Sequence, residues 1–427
     1  LRKIGKCIKR NRMSGKKLAL VVGGGPAPGI NGVISSATIE ALNHGLEVYG
    51  IIGGFKSLFE GKKDSFIPLT IEDVSRIHTQ GGSILKTSRD RPENVQERFK
   101  TLISTLYEFG ISYLITIGGE GTLFMASWIE RETRGRISIV HTPKTIDNDI
   151  PLPGGFSTFG YQTARHVGVE LVKNIMEDAR SMDRWYFITT MGRHTGHLAL
   201  GIGKAAGATV TLIPEEFPEK RLSIRKVADI LTGSIIKRYS MGRSYGVAIL
   251  AEGIAEKFDM DELQKIEFIE KDEISGKIRL SDIQLGRILK TFVNENLKEC
   301  GISTNIVSMN IGYELRAADP IPFDIEYTRD LGYGAVNHLI KGGTGAIITV
   351  YEGRIMAVPF VEMFDSKGNV KIRKVDVDSE LYRVAREYMI RLEEDDFEGE
   401  RIEKLANTAN MSPQKFRERF GYLFGLC

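Results

Sequence analysis

Cysteine is scarce in this chain of 427 residues: Cys7, Cys300 and Cys427 lie far apart and form no CxxC or metal-ligand spacing. A cysteine zinc site is therefore excluded, and a reduced, cytoplasmic setting is expected. Long apolar runs are also missing, since stretches such as residues 18–22 are strand-sized and no transmembrane helix is expected. Charge of one sign is absent too. The 58 basic and 55 acidic residues leave a formal charge of +3, too even to make nucleic acid or a membrane surface the main partner. Any anion site must then be built from local charge. Residues 1–12 hold six basic side chains without the apolar segment of a secretory signal, and are read with residue 13 as a basic extension ending at Met13. Two nucleotide fingerprints fail as well: Pro28 stands where the third glycine of GxGxxG would fall, and GxxxxGK[ST] occurs nowhere.

What is present is ordinary globular material, 42% hydrophobic and 26% charged, in a chain long enough for two or more domains. Short β-branched runs at 18–22, 47–52, 113–117, 137–140, 186–190, 209–213, 246–250 and 346–351 alternate with amphipathic stretches. That alternation predicts an α/β protein with parallel, doubly wound sheets, in which ligands bind beyond the carboxyl ends of strands. Polar or glycine-rich loops follow these runs and are expected to share one rim. From the 360s onward the pattern turns helical, with an amphipathic helix predicted over 381–392 and a solvated acidic connection over 393–396.

The most chemically loaded of these loops is Pro143-Lys144-Thr145-Ile146-Asp147-Asn148-Asp149-Ile150-Pro151. One carboxylate could accept a proton from a hydroxyl, the other could hold a divalent metal, and the lysine could meet a phosphate. Asp and Asn are also ordinary turn residues, so the segment alone only modestly favours chemistry. Gly23-Gly24-Gly25 could present backbone amides to an oxyanion, or be a plain strand-to-helix turn. Gly118-Gly119-Glu120-Gly121-Thr122 adds a carboxylate of the kind Mg²⁺ prefers. Arg89, Arg184, Arg193 and Arg316 stand beside strand ends, where arginine could bind phosphate in a bidentate way. The His194/His197 pair has no third zinc ligand beside it.

Taken in order, Gly24-Gly25-Pro26-Ala27-Pro28-Gly29-Ile30-Asn31, the Gly118 loop, the Asp147 turn, Met191-Gly192-Arg193 and Gly312-Tyr313-Glu314-Leu315-Arg316 resemble the 6-phosphofructokinase family. The similarity runs from about residue 17 to residue 351 and is greatest to the branch mixing ATP- and pyrophosphate-dependent members. It implies two Rossmann-like three-layer domains with largely parallel sheets plus a C-terminal helical extension. Residues 14–158 with 315–362 would bind the phosphoryl donor, 159–314 the fructose phosphate, and 363–427 would form the extension. The implied reaction moves a phosphoryl group to O1 of fructose 6-phosphate with Mg²⁺. By position, Asp147 matches the catalytic base, Thr145 and Asp149 match residues that hold the sugar and support the metal, and Glu120 matches a metal ligand. Gly24, Gly25, Arg89, Gly119, Gly121 and Thr122 fall in donor-binding positions. Met191, Gly192, Arg193, Glu252, Tyr313 and Arg316 match the sugar-phosphate site, and Arg184 matches an arginine reaching a neighbouring subunit's site. A homo-oligomer is therefore implied. Lys144 and Arg193 would neutralise the transferring group.

For the donor, the resemblance offers two residues that disagree. An Asp at the position of Gly121 goes with pyrophosphate use, whereas a lysine at the position of Lys144 accompanies pyrophosphate users and some ATP users. Weighing a missing steric block above an extra cation, we expect ATP, with pyrophosphate as the alternative. The helix after Asn31 lacks the effector-binding arginines of typical bacterial members, Tyr313 stands where they have histidine, and Glu120 replaces the commoner Asp. An NAD or lipid kinase could share the Gly118 loop but not the other motifs. A non-catalytic regulatory subunit would be expected to lose the base or metal residues.

Overall fold

The structure is a computed structural model that describes residues 15–89, 95–266 and 283–426. The basic extension, Cys7 and Cys427 lie outside the described residues. The chain divides into two units, one formed by Leu1–Ala164 and Tyr313–Arg373, the other by Arg165–Gly312 and Lys374–Cys427.

In the first unit the order is β1 (Lys17–Val22), α1 (Ile30–Asn43), β2 (Glu47–Ile51), α2 (Gly54–Phe59), β3 (Phe66–Pro68), α3 (Ile71–Val74), α4 (Val95–Phe109), β4 (Ile111–Gly118), α5 (Glu120–Thr133), β5 (Ser138–Thr145) and β6 (Phe159–Gly160). After α6 (Tyr161–Met182) and the second unit's elements, α11 (Tyr313–Ala317), α12 (Pro322–Ile340), β11 (Ala346–Tyr351) and β12 (Arg354–Pro359) complete it. The sheet runs β12-β11-β5-β4-β1-β2-β3, with β6 beside β5. It is parallel except for β2 with β3 and β11 with β12.

Alternate residues of one strand enter different cores, which makes the three layers explicit. Leu18, Leu20 and Val22 pack with Ile30, Val33 and Ile34 of α1 and with Leu331 and Ala335 of α12. Ala19 and Val21 pack with Leu58 of α2, Leu102 and Leu106 of α4 and Leu123 of α5. Because both faces are covered, these strands read as continuous apolar runs rather than alternating ones.

The second unit is built on β7 (Trp185–Thr190), α7 (His197–Ala206), β8 (Val210–Leu212), α8 (Ile224–Ser240), β9 (Gly246–Ala251), α9 (Met260–Leu263), α10 (Leu285–Glu299) and β10 (Ile306–Ile311). Its four strands lie in the order β10-β7-β9-β8, all parallel. Trp185, Phe187, Val210 and Leu250 pack against Leu231 of α8 and Leu289 of α10.

Residues 363–427 are not a separate extension. Met363 and Val370 belong to a core of the first unit. Leu392, Phe397, Leu405 of α14 (Gly399–Thr408), and Phe416 and Phe420 of α15 (Pro413–Phe420) pack on Ile236 and Cys300 of the second. The helix expected over 381–392 stops early, as α13 (Glu380–Glu387). The acidic stretch after it is not simply solvated, because Asp396 is buried and pairs with Lys237 at 2.6 Å. Arg391 likewise meets Glu216 at 2.5 Å, so this segment is held by buried charge pairs. Among the described residues no helix is long and apolar enough to cross a membrane.

Candidate active site

β1 and β4 are neighbours, yet the chain leaves β1 for β2 on one side and leaves β4 for β5 on the other. Such a switch point opens a crevice at the carboxyl ends of the two strands. The Gly23 loop and the Gly118 loop both begin there. Gly23 N donates to Ile117 O at 2.9 Å, Gly24 N to Ser88 O at 2.9 Å, and Thr87 Oγ1 to Gly24 O at 2.6 Å. These bonds fix the first loop against the segment that carries the exposed Arg89. Glu120 opens α5, where a carboxylate complements the helix dipole. Gly119 lies over the Lys144 carbonyl, and Thr122 is buried against Gly118. Gly121 is exposed, and a Cβ built on it would meet nothing within 4 Å.

Lys144, near the end of β5, is 5% exposed, and its Nζ donates to Gly25 O at 2.5 Å. Burial pushes its pKa down to about 8; the charges of Arg316 and Arg89 push the same way, and Asp147 and Asp149 oppose them. Arg316 comes from α11 and lies directly on Gly25, where a Cβ would fall 2.2 Å from Nη2. Only glycine permits that approach. The guanidinium also sits 5.4 Å from the centre of the Tyr313 ring, which is itself 78% exposed. Lys144 and Arg316 thus bear on one glycine loop, with the charge of Arg89 felt at Lys144, a local gathering of cations in a chain that is nearly neutral overall.

The Asp147 turn is held on several sides. Asp147 N donates to Thr145 Oγ1 at 3.0 Å, and Thr158 Oγ1 to Thr145 O at 2.8 Å. Between the two aspartates Asn148 is left-handed, φ 58°, a conformation Asn tolerates better than most residues. Its Oδ1 accepts from Thr158 N at 3.1 Å. Arg373 reaches the same turn from the other end of the unit, a contact with no local motif to announce it.

In the second unit the loops after β7 and β9 close on each other. A Cβ on Gly253 would fall 2.4 Å from Arg193 O, and Gly192 N donates to Glu252 Oε1 at 3.3 Å. Met191 packs on Gly312, and Arg193 pairs with Glu256, a partner that the sequence reading missed. Met191, Gly192, Arg193 and Glu252 are therefore brought together. Arg184 is not with them: it precedes β7, at the other end of the strand from Met191, about 20 Å away at strand rise. There it meets Asp178 at 2.7 Å and stacks 5.3 Å from the centre of the Tyr186 ring.

A phosphofructokinase family model matches residues 17–339. The chain belongs to the phosphofructokinase family. It is 54% identical over 412 residues to a pyrophosphate–fructose 6-phosphate 1-phosphotransferase of Thermotoga maritima, covering 95% of this chain and 98% of that one. A protein of the same name from Naegleria fowleri is 45% identical over 416 residues, covering 95% of each chain. In fold it resembles the crystal structure of a pyrophosphate-dependent phosphofructokinase from Marinobacter aquaeolei, with a TM-score of 0.65 and 17% identity, covering 88% of this chain and 90% of that one.

Those two relatives overturn the expectation of ATP as donor. The weighting of Gly121 above Lys144 was at fault. Open space at Gly121 says only what is not excluded, whereas a buried ammonium against the Gly25 carbonyl changes the charge of the glycine loop itself.

The residues gathered at these loops suit a magnesium ion. Among the described residues no group of three or more His, Cys, Asp or Glu could hold a metal. Mg²⁺ does not need one, because it binds through one or two carboxylates with substrate phosphates and keeps several waters. Carboxylates of that kind stand in the turn after β5, at Asp147 and Asp149, and at Glu120, which opens α5 after the neighbouring β4, so one or two of them would serve.

Proposed function

We propose that this chain transfers a phosphoryl group from pyrophosphate to O1 of fructose 6-phosphate, releasing phosphate and fructose 1,6-bisphosphate. The observation that carries this reading is Lys144, buried and bonded to Gly25 O with Arg316 and Arg89 acting on it. A compact, highly charged donor is what cations gathered at one loop favour.

Phosphoryl transfer asks for in-line positioning and charge neutralisation more than covalent work. Asp147 takes the proton of the O1 hydroxyl as that oxygen attacks the near phosphorus and the bond to the leaving phosphate breaks. Thr145, bonded to the Asp147 amide, fixes the base, and Asp149 with Glu120 would hold Mg²⁺. The ion would neutralise charge on the pyrophosphate oxygens. Met191, Gly192, Arg193 and Glu252 would bind the sugar phosphate. Arg316, expected at the sugar, lies on Gly25, which supports a place beside the transferred group instead. The position of Arg184 at the far end of β7 supports its acting in a neighbouring subunit's site, and hence a homo-oligomer.

Initial rates with fructose 6-phosphate, Mg²⁺ and either donor test the reading. Pyrophosphate should give a kcat/KM at least about 10²-fold above that for ATP. Faster turnover with ATP would refute it.

A further inference from the structure

We infer that Arg373 is a positioning residue for this transfer, the clamp that holds the Asp147 turn in its working shape; the inference rests on the function proposed above. Arg373 follows β12 by fourteen residues and is the last residue of the first unit. All of its hydrogen-bonding reach is spent on one loop. Its backbone N donates to Asp149 O at 2.7 Å, Nε to Asn148 O at 3.0 Å, Nη1 to Phe156 O at 2.8 Å, and Nη2 to Asn148 Oδ1.

Three features make this more than a surface contact. The fork grips both the main chain and the side chain of Asn148, the left-handed residue that separates the two aspartates. If Asn148 relaxed toward right-handed backbone, Asp147 and Asp149 would both turn away. Through Phe156 O and the Asn148 Oδ1 that also accepts Thr158 N, the same guanidinium ties the turn to the segment after it. Finally, its hydrogen-bond acceptors are all carbonyl and amide oxygens of this loop, so what the fork fixes is the shape of the turn rather than an ion pair. Lysine cannot reproduce a planar fork of this kind.

Arg373→Ala and Arg373→Lys, made in the full chain, test the inference beside the wild type. In Arg373→Ala, kcat should fall about 10²-fold, as for a misplaced reacting group, with the KM for pyrophosphate within about threefold. Added guanidinium should restore at least about tenfold of the loss by refilling the vacated fork, which a merely structural role would not allow. Arg373→Lys keeps the stem and the charge, so it decides the matter should the alanine variant not fold, and its kcat should drop at least about tenfold. Amide exchange over residues 145–150 should quicken at least about tenfold in either variant. Wild-type kcat in the lysine variant, or a loss in the alanine variant that guanidinium does not reverse, overturns the clamp. If the wild type itself does not turn over pyrophosphate, the proposed function fails; exchange at 145–150 then judges the clamp alone, and unchanged exchange overturns it.

Discussion

Raising the pH from about 7 to about 9.5 should make this protein more stable and a poorer user of pyrophosphate, with Lys144 responsible for both trends. Its pKa falls from 10.5 to about 8 on burial. That gap corresponds to about 3 kcal/mol of cost for holding the charged lysine in the fold. Below pH 8 the lysine is protonated in both folded and unfolded chains, so the cost is complete and constant. Between about 8 and 10.5 the unfolded chain binds the extra proton, and stability rises with pH until the cost is relieved. On the proposed function pyrophosphate pairs with the ammonium, so kcat/KM should fall about tenfold per pH unit above the folded-state pKa, chiefly through KM, because the bound anion raises that pKa again. Lys144→Met removes the titrating group. At an effective dielectric near 20, losing one charge about 4 Å from the donor costs about 4 kcal/mol, so its kcat/KM should be about 10³-fold lower at pH 7. Steady-state rates and urea denaturation measured in parallel from pH 6.5 to about 10 check both arms, and the variant cancels the titration of pyrophosphate itself. A variant that kept the alkaline fall of the wild type, or a wild type with flat kcat/KM through pH 9, would refute the argument.

Asp147→Asn should bind fructose 6-phosphate normally by calorimetry while kcat drops about 10²- to 10⁴-fold, the range for a lost general base; near-normal turnover removes Asp147 from that role. Arg184→Ala should be inactive alone, yet regain part of its activity when refolded together with Asp147→Asn, because a mixed oligomer contains sites with both residues intact. No recovery in the mixture would leave Arg184 to its own subunit. Phe416→Ala opens a cavity where the side chain is fully buried among Phe397, Phe420 and Leu405, and should cost about 3 to 5 kcal/mol, read as a lower urea midpoint. An unchanged midpoint would show that the C-terminal helices are not part of the second unit's core.

The strands that were legible in the sequence are those covered on both faces, such as β1, β4 and β9, because double burial demands an unbroken apolar run. β10 escaped notice because it lies at a sheet edge, where Ser308 and Asn310 interrupt the run. The acidic stretch 393–396 was misread for a related reason: composition marks it as solvated, and only the distant Lys237 shows that Asp396 is buried and paired.

The sequence by itself determined the chemistry on offer: glycine loops after strands, two aspartates flanking Asn148, a lysine in the same turn, and the family these motifs belong to. Such features are local, set by a few consecutive residues and the turns they permit. Tertiary structure decided which groups meet. It carried Arg316 onto Gly25 and Arg373 onto Asn148 across more than two hundred residues of chain, placements that depend on strand order and packing. It also decided what Lys144 is. In the sequence that residue is one cation among 58, and its burial against a carbonyl, which alters its proton affinity and the charge of the Gly25 loop, exists only once the sheet is assembled.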